Sequence, residues 1–100
     1  MDIPNIQKHL RKLNLSSWLL YDFRGLNPIS QRVAGLTKQK ITRRWFCCIF
    51  VDRSPIWLIQ HIEQSQFRGV VGEVWVYRSW QELTVKLTQL LVDQPSVAMQ

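Results

Sequence analysis

Hydrophobic and polar positions follow helical and strand periods in turn along the first part of the chain. Apolar residues recur three or four positions apart over residues 3–13, which predicts an amphipathic helix capped by Asp2. The continuous apolar run over residues 18–21 predicts a strand that is covered on both faces. Asn27 and Pro28 suit the cap and first turn of a short helix. Its expected buried stripe is Ile29, Val33 and Leu36.

The second part of the chain is predicted to add four strands and one long helix. The strands cover residues 42–51, 56–59, 73–77 and 97–99, and the segment 61–67 is predicted to form a single helical turn. Ser79 and Glu82 form a capping box that starts the helix. Its expected apolar face is Trp80, Leu83, Leu87, Leu90 and Leu91. The order α-β-α-β-β-(α)-β-α-β indicates an α/β fold, a mixed β-sheet flanked by helices.

Composition indicates one small globular domain with a basic surface. The chain has 100 residues, of which 13 are Lys or Arg and 7 are Asp or Glu, giving a net charge of +6. The basic residues are scattered, and the longest run is Arg43-Arg44, so a solvated surface is the favoured interpretation. The run of residues 43–46, Arg-Arg-Trp-Phe, keeps a small basic nucleic-acid-binding module open as an alternative.

The two cysteines bear on the cellular compartment. Cys47 and Cys48 are adjacent, so in a strand they point to opposite faces and cannot easily pair with each other. Two unpaired thiols fit a reducing cytoplasm, which is the predicted location. The longest apolar run, residues 45–51, is far shorter than the roughly 20 residues of a membrane helix, and no signal-peptide pattern is present.

Few residues of the chain are suited to catalysis or to metal binding. The chain contains no established catalytic motif, which makes a stand-alone small enzyme the least favoured function. His61 and Glu63 have the spacing of two metal ligands, but no third ligand is apparent. The loop over residues 22–28 follows a buried strand, where ligands gather in open α/β sheets. Within it, Asp22 and Arg24 either serve a site or pair with each other at the surface.

Residues 18–29, Trp-Leu-Leu-Tyr-Asp-Phe-Arg-Gly-Leu-Asn-Pro-Ile, resemble the amino-terminal domain of Xaa-Pro aminopeptidase-like proteins. These proteins belong to the pita-bread metallopeptidase family, with prolidase and creatinase. Further matches follow in the same order, at Leu36, residues 42–46, Ile62-Glu63, residues 79–83 and residues 97–99. The resemblance covers about residues 15–99. It implies one creatinase N-terminal-like α/β domain over residues 1–100, incomplete at its carboxyl end and truncated before the catalytic pita-bread domain.

The resemblance implies a non-catalytic function for this chain. In that family the later domain binds two divalent metal ions, such as Mn or Co, so no catalytic residue, metal or cofactor is expected here. The amino-terminal domain of such proteins helps to form the dimer and lends residues to the rim of a partner's active site. By analogy, the rim or interface candidates are Asp22, Arg24, Asn27, Arg43, Arg44 and Trp45. The expected partners are a second copy or the chain's own carboxyl-terminal catalytic domain, and only the parent protein would bind the peptide substrate.

Some positions depart from the family pattern. Gln100 stands where the family has an acidic residue, and Cys47 and Cys48 stand where an aromatic or aliphatic residue is expected. A sheet cut at residues 97–99 leaves a free strand edge, and such edges pair readily with other chains. The isolated chain is therefore expected to self-associate or aggregate.

Overall fold

Three α-helices, five strands and one 3-10 helix follow one another in the computed structural model, which describes all 100 residues. They are α1 (Ile3–Lys12), β1 (Ser17–Asp22), α2 (Pro28–Ala34), β2 (Trp45–Phe50), β3 (Ile56–Gln60), the 3-10 helix η1 (His61–Phe67), β4 (Glu73–Tyr77), α3 (Trp80–Leu91) and β5 (Val97–Met99). This order confirms the alternation that the sequence predicts.

The α-helices begin at the predicted caps because a side-chain oxygen accepts from an otherwise free N–H group in the first turn. Gly35 ends α2 with φ of 75°, in the left-handed region that favours glycine. The cap oxygens of Asp2, Asn27 and Ser79 accept from the backbone N–H groups of Asn5, Ser30 and Glu82, each at 3.2 Å.

The sheet is mixed and has the strand order β4-β3-β2-β1-β5. Strand β2 is antiparallel to both of its neighbours, whereas β1 pairs with β5, and β3 with β4, in parallel. Four strands therefore run in one direction. Their carboxyl ends meet the beginning of β2 at one end of the sheet, where Asp22 lies opposite Trp45 and Gln60 lies beside Tyr77.

Helices cover both faces of the sheet and divide the core in two. Strand β2 is buried along its whole length. Cys47 packs in the core on the side of α1 and α2, and Cys48 packs in the core on the side of α3, so the adjacent thiols are separated by the sheet and both are free. None of the helices combines the length and the apolar character needed to cross a membrane.

The boundaries and faces of three predicted elements differ from expectation. Strand β2 begins at Trp45 rather than Thr42, because the N–H groups of Thr42 and Arg43 donate to the carboxylate of Glu63 instead of a neighbouring strand. Trp80 is 65% exposed and Ile29 is also exposed. Both lie in the first turn of their helices, and each of those helices starts at the carboxyl end of the sheet, where less of the core is available to cover them.

Candidate functional site

Four arginines and two aromatic rings lie together at the carboxyl end of the sheet. They come from the β1–α2 loop, the segment before β2 and the start of α3, which the strand order brings side by side. We call this set the arginine surface. Its members are Phe23, Arg24, Arg43, Arg44, Arg78 and Trp80.

The guanidinium of Arg44 lies against two aromatic rings. Its Cζ is 4.1 Å from the ring centroid of Phe23 and 4.9 Å from that of Trp80. Arg24 approaches the same Phe23 ring at 5.0 Å. Each cation–π contact of this kind contributes on the order of 0.5–1 kcal/mol at an exposed site. The rings therefore fix the position of the Arg44 cation.

No carboxylate neutralises the centre of the arginine surface. The ion pairs in the structure are Arg53 with Asp52, and Arg78 with Glu82. The second is long, at 3.8 Å, and both of its side chains are exposed, so it contributes little. Arg24, Arg43 and Arg44 consequently keep guanidinium donors available for an external anion.

Two polar side chains hold the backbone that carries Arg43 and Arg44. The hydroxyl of Tyr77 donates to the carbonyl oxygen of Arg44 at 2.6 Å. The carboxylate of Glu63 accepts from the N–H groups of Thr42 at 2.9 Å and Arg43 at 3.0 Å. Burial raises the pKa of Tyr77 to about 12, partly opposed by the positive charge of Arg44. The phenol therefore remains a donor at neutral pH.

The β1–α2 loop is held from within by Asp22 and Asn27. The buried carboxylate of Asp22 accepts from the N–H groups of Gly25 at 3.0 Å and Asn27 at 2.7 Å. The side-chain amide of Asn27 donates to the carbonyl oxygen of Tyr21 at 2.8 Å. Asp22 and Arg24 do not pair with each other, because the acid is satisfied by the loop backbone and the arginine turns toward Phe23.

A depression of about 230 Å³ opens between the arginines and the start of α3. The start of α3 already holds negative groups, since the Ser79 hydroxyl accepts from the Glu82 N–H and the Glu82 carboxylate accepts from the Arg78 N–H, so the arginines supply the attraction for an anion. The depression is lined by Phe23, Arg43, Arg44, Gln60, Tyr77, Arg78, Ser79, Trp80 and Leu83. Its chemistry suits a small carboxylate or another anion, because arginine binds planar oxyanions through two parallel hydrogen bonds.

The predicted candidates divide into three groups. Arg24, Arg43 and Arg44 lie at the surface and are brought together. Asp22 and Asn27 lie behind them and shape the loop. Trp45 is the third group, and its assignment to the rim is wrong because its ring is fully buried against Trp57 and Phe67, with centroids 6.0 and 6.2 Å away.

Sequence reasoning missed Phe23, Arg78 and Trp80. Helical periodicity assigned Trp80 to the apolar face of α3, and only its position directly after the cap residue marks it as a residue at the helix end. No sequence signal links Phe23 with Arg44, because their contact depends on the pairing of β1 with β2.

Glu63, one of the two residues with metal-ligand spacing, has a structural role. Both carboxylate oxygens of Glu63 accept hydrogen bonds from residues 42 and 43. No group of three or more His, Cys, Asp or Glu side chains is arranged to hold a metal ion. Glu63 acts in the structure as an anchor for the segment that precedes β2.

Comparison with known proteins gives the fold. No family model and no curated protein sequence matches the chain. Among solved structures, the creatinase/prolidase N-terminal domain of an X-Pro dipeptidase from Streptococcus pyogenes superposes with a TM-score of 0.73 at 14% identity, covering 98% of this chain and 74% of that chain. The chain has the creatinase/prolidase amino-terminal fold. This confirms the predicted mixed sheet with flanking helices.

Two further structures share the creatinase/prolidase amino-terminal fold. A proline dipeptidase from Streptococcus pneumoniae has a TM-score of 0.68 and 20% identity, covering 99% of this chain and 73% of that chain. The prolidase from Pyrococcus horikoshii has a TM-score of 0.69 and 10% identity, covering 98% of this chain. The chain spans 25% of the length of the Pyrococcus protein.

Proposed function

We propose that this chain is the amino-terminal domain of a prolidase-like, Xaa-Pro-specific peptidase. In this proposal it has no catalytic residue of its own, contributes to dimerisation and shapes the entrance through which the peptide reaches a separate catalytic domain. The observation that supports an entrance role is the guanidinium of Arg44, which lies against two rings and has no carboxylate partner.

A short peptide presents the kind of group that the arginine surface attracts. The solved relatives are named prolidase and proline dipeptidase, and a dipeptide has a free carboxylate close to the bond that is cleaved. Three unpaired arginines on one surface raise the local concentration of anions. Because the rings already position Arg44, its guanidinium loses less rotational freedom when it binds a carboxylate.

The proposal leaves the chemistry to the catalytic domain. Two divalent metal ions, such as Mn or Co, would be bound there and not by this chain. A cytoplasmic location is part of the same proposal, and two free, buried cysteines are consistent with it.

Titration of the arginine side-chain Nε–H signals by NMR tests the entrance role. We expect the dipeptide Ala-Pro to shift the Arg44 signal with millimolar affinity, and its carboxyl-terminal amide to leave the signal in place. Arg44→Gln should abolish the response of the surface. Arg53→Gln is the matched control, because Arg53 also lies over a ring, Phe50, but at the opposite end of the sheet. Equal shifts with acid and amide would contradict the proposal.

A peptidase assay tests the non-catalytic role. The pure chain, supplied with Mn²⁺, should release no proline from Ala-Pro. Metal-dependent release at a rate that scales with the concentration of the chain would contradict the proposal directly.

A nucleic-acid-binding module is the second candidate, supported by the net charge of +6 and by two exposed or half-buried rings beside arginines. Trp45 and Phe46, the aromatic residues of the Arg-Arg-Trp-Phe run, are buried and cannot contact a base. Fluorescence anisotropy with single-stranded and duplex probes distinguishes the two functions. We expect no binding at low salt, whereas binding that weakens steeply with salt would favour this alternative.

A further inference from the structure

The excess positive charge of the chain comes from one segment. Residues 23–51 contain six Lys or Arg and no Asp or Glu, and this charge equals the net charge of +6 of the whole chain. Lys, Arg, Asp and Glu balance over the remaining residues. Arg24, Arg43 and Arg44 belong both to this segment and to the arginine surface. The arginine surface therefore carries positive charge that no acid of its own segment offsets.

The acids that lie near the arginine surface are already bonded to other groups. Asp22 accepts from two backbone N–H groups of its own loop, and Glu63 accepts from two backbone N–H groups before β2. Glu82 accepts from a backbone N–H at the start of α3. None of the three forms an ion pair with Arg24 or Arg44. Both guanidinium groups therefore need an acid that the chain itself does not supply.

Two of these guanidinium groups share one aromatic ring. The Cζ atoms of Arg24 and Arg44 lie 5.0 and 4.1 Å from the centroid of Phe23, so the distance between them cannot exceed the sum of these two values, about 9 Å. Like charges at this separation repel each other. A ligand with two negative charges relieves this repulsion, whereas a ligand with one negative charge relieves only part of it.

Arg24 occupies a backbone position that is unfavourable for its side chain. Its φ is 58°, in the left-handed region where most residues with a Cβ are disfavoured. The carboxylate of Asp22 holds this turn by accepting from the N–H groups of Gly25 and Asn27. Strained positions of this kind cluster at functional sites. The loop thus keeps a large cation where glycine or asparagine is less strained, and places it beside Phe23.

We infer that the arginine surface selects peptides with an acidic side chain directly before a carboxyl-terminal proline, and that Arg24 determines this selectivity. The inference rests on the proposed function, in which Arg44 binds the terminal carboxylate, and it assigns the side-chain carboxylate to Arg24. In Glu-Pro the two carboxylates belong to adjacent residues, whose Cα atoms are about 3.8 Å apart. Both carboxylates therefore lie within reach of two guanidinium groups that share one ring.

Net charge also favours an acidic peptide before contact is made. A dipeptide with a neutral side chain has one amino group and one carboxylate, so its net charge is zero and the positive segment attracts it only weakly. A Glu or Asp side chain gives the peptide a net charge of −1, and a Lys side chain gives it +1. The surface therefore attracts acidic peptides and repels basic ones. Added salt weakens both effects.

Titration of the Arg44 side-chain Nε–H signal with Glu-Pro and Gln-Pro tests the inference, because the two peptides have nearly the same shape and differ by one charge. At low ionic strength we expect Glu-Pro to bind about fivefold more tightly than Gln-Pro, as one additional exposed ion pair allows. Lys-Pro should bind more weakly than Gln-Pro. These ratios do not depend on any catalytic activity.

Three variants assign the selectivity to Arg24. Arg24→Gln should remove the difference between Glu-Pro and Gln-Pro and leave the affinity for Gln-Pro within about twofold of wild type. Arg24→Lys keeps the charge and should keep a preference for Glu-Pro. Arg53→Gln removes the same charge at the opposite end of the sheet and should leave the fivefold ratio unchanged.

The outcomes separate the inference from the proposed function. Equal affinities of the wild type for Glu-Pro and Gln-Pro, with both peptides shifting the Arg44 signal, overturn the inference and leave the entrance role standing. No shift with either peptide overturns both. A preference for Glu-Pro that survives Arg24→Gln overturns the role of Arg24. The backbone amide spectrum of Arg24→Gln, expected to match wild type outside residues 22–28, separates lost selectivity from lost folding.

Discussion

At the scale of single residues, buried polar groups decide where the exposed arginines lie. Glu63 and Tyr77 each bind backbone groups, and Glu63 also accepts from the hydroxyl of Thr42; together they fix the three residues before β2. Neither contact is visible as a sequence motif, because the partners are 21 and 33 positions apart. The sequence predicts which types of residue form the site, whereas long-range hydrogen bonds determine where Arg43 and Arg44 lie.

Tyr77 makes the free energy of unfolding depend on pH in the alkaline range. The pKa of a tyrosine in the unfolded chain is about 10, and burial raises the pKa of Tyr77 in the folded protein to about 12. Its contribution to the free energy of unfolding is therefore complete below pH 10. It is lost as the pH rises from about 10 to 12, since the unfolded state releases the proton first.

Tyr77→Phe tests this dependence. At neutral pH the variant should lose about 1 kcal/mol, because the carbonyl of Arg44 loses its donor. Above pH 10 the difference from wild type should shrink. Burial also raises the pKa of Cys48 to about 11 and the pKa of Cys47, and both thiols are present in wild type and variant, so their effects cancel in the comparison. Urea denaturation at several pH values measures the difference in free energy of unfolding between wild type and variant. A difference that stays constant up to pH 12 would contradict the raised pKa of Tyr77.

At the scale of elements, the order and the caps are predictable from the sequence, whereas burial at the strand and helix ends is not. The caps at Asn27 and Ser79 are local, so reading neighbouring residues finds them. The sequence predicts Trp45 at the rim and Trp80 on a buried helix face, and the structure has the first buried and the second exposed. Trp45 is buried because β2 lies at the centre of the sheet, and Trp80 is exposed because it begins a helix at the sheet's end. Strand order decides the burial of Trp45, and one sequence does not contain it in readable form, whereas the position of Trp80 directly after the cap residue is a local signal of its exposure.

The turn before β4 depends on a glycine for a steric reason. Gly72 has φ of 110°, and a Cβ there would collide with the carbonyl oxygen of Pro55. Gly35 has φ of 75° and no atom within 4 Å of a Cβ, so it supplies a matched control. Gly35→Ala should cost about 1 kcal/mol for the left-handed conformation alone.

Gly72→Ala should cost clearly more than Gly35→Ala, at roughly 3 kcal/mol or above, because the backbone around Pro55 must move as well. It should also disturb the hydrogen bond from the Glu73 N–H to the same carbonyl, which is the first contact of β4 with β3. Thermal denaturation of the two variants gives the comparison. Similar losses in both would show that the turn adapts and that the steric argument is wrong.

At the scale of the whole molecule, the sheet separates two hydrophobic cores, and both cores include residues of the central strand β2. Cys47 and Cys48 lie on opposite faces of β2, which has a strand on each side and helices over both faces. No single loop or helix covers both thiols. Exposure of both at once therefore requires separation of the strands, which amounts to global unfolding.

Thiol labelling under native conditions tests whether both cysteines become exposed only by global unfolding. We expect both cysteines to react slowly with an aromatic disulfide reagent, and at similar rates once the intrinsic reactivity of each thiol is allowed for. The logarithm of the rate should rise with urea along the same slope as the global free energy of unfolding. Cys47→Ala and Cys48→Ala variants assign the rates to each side. If the thiol on the α3 side reacts faster, with a shallow urea dependence, α3 opens alone, and the two cores unfold as separate units rather than through β2.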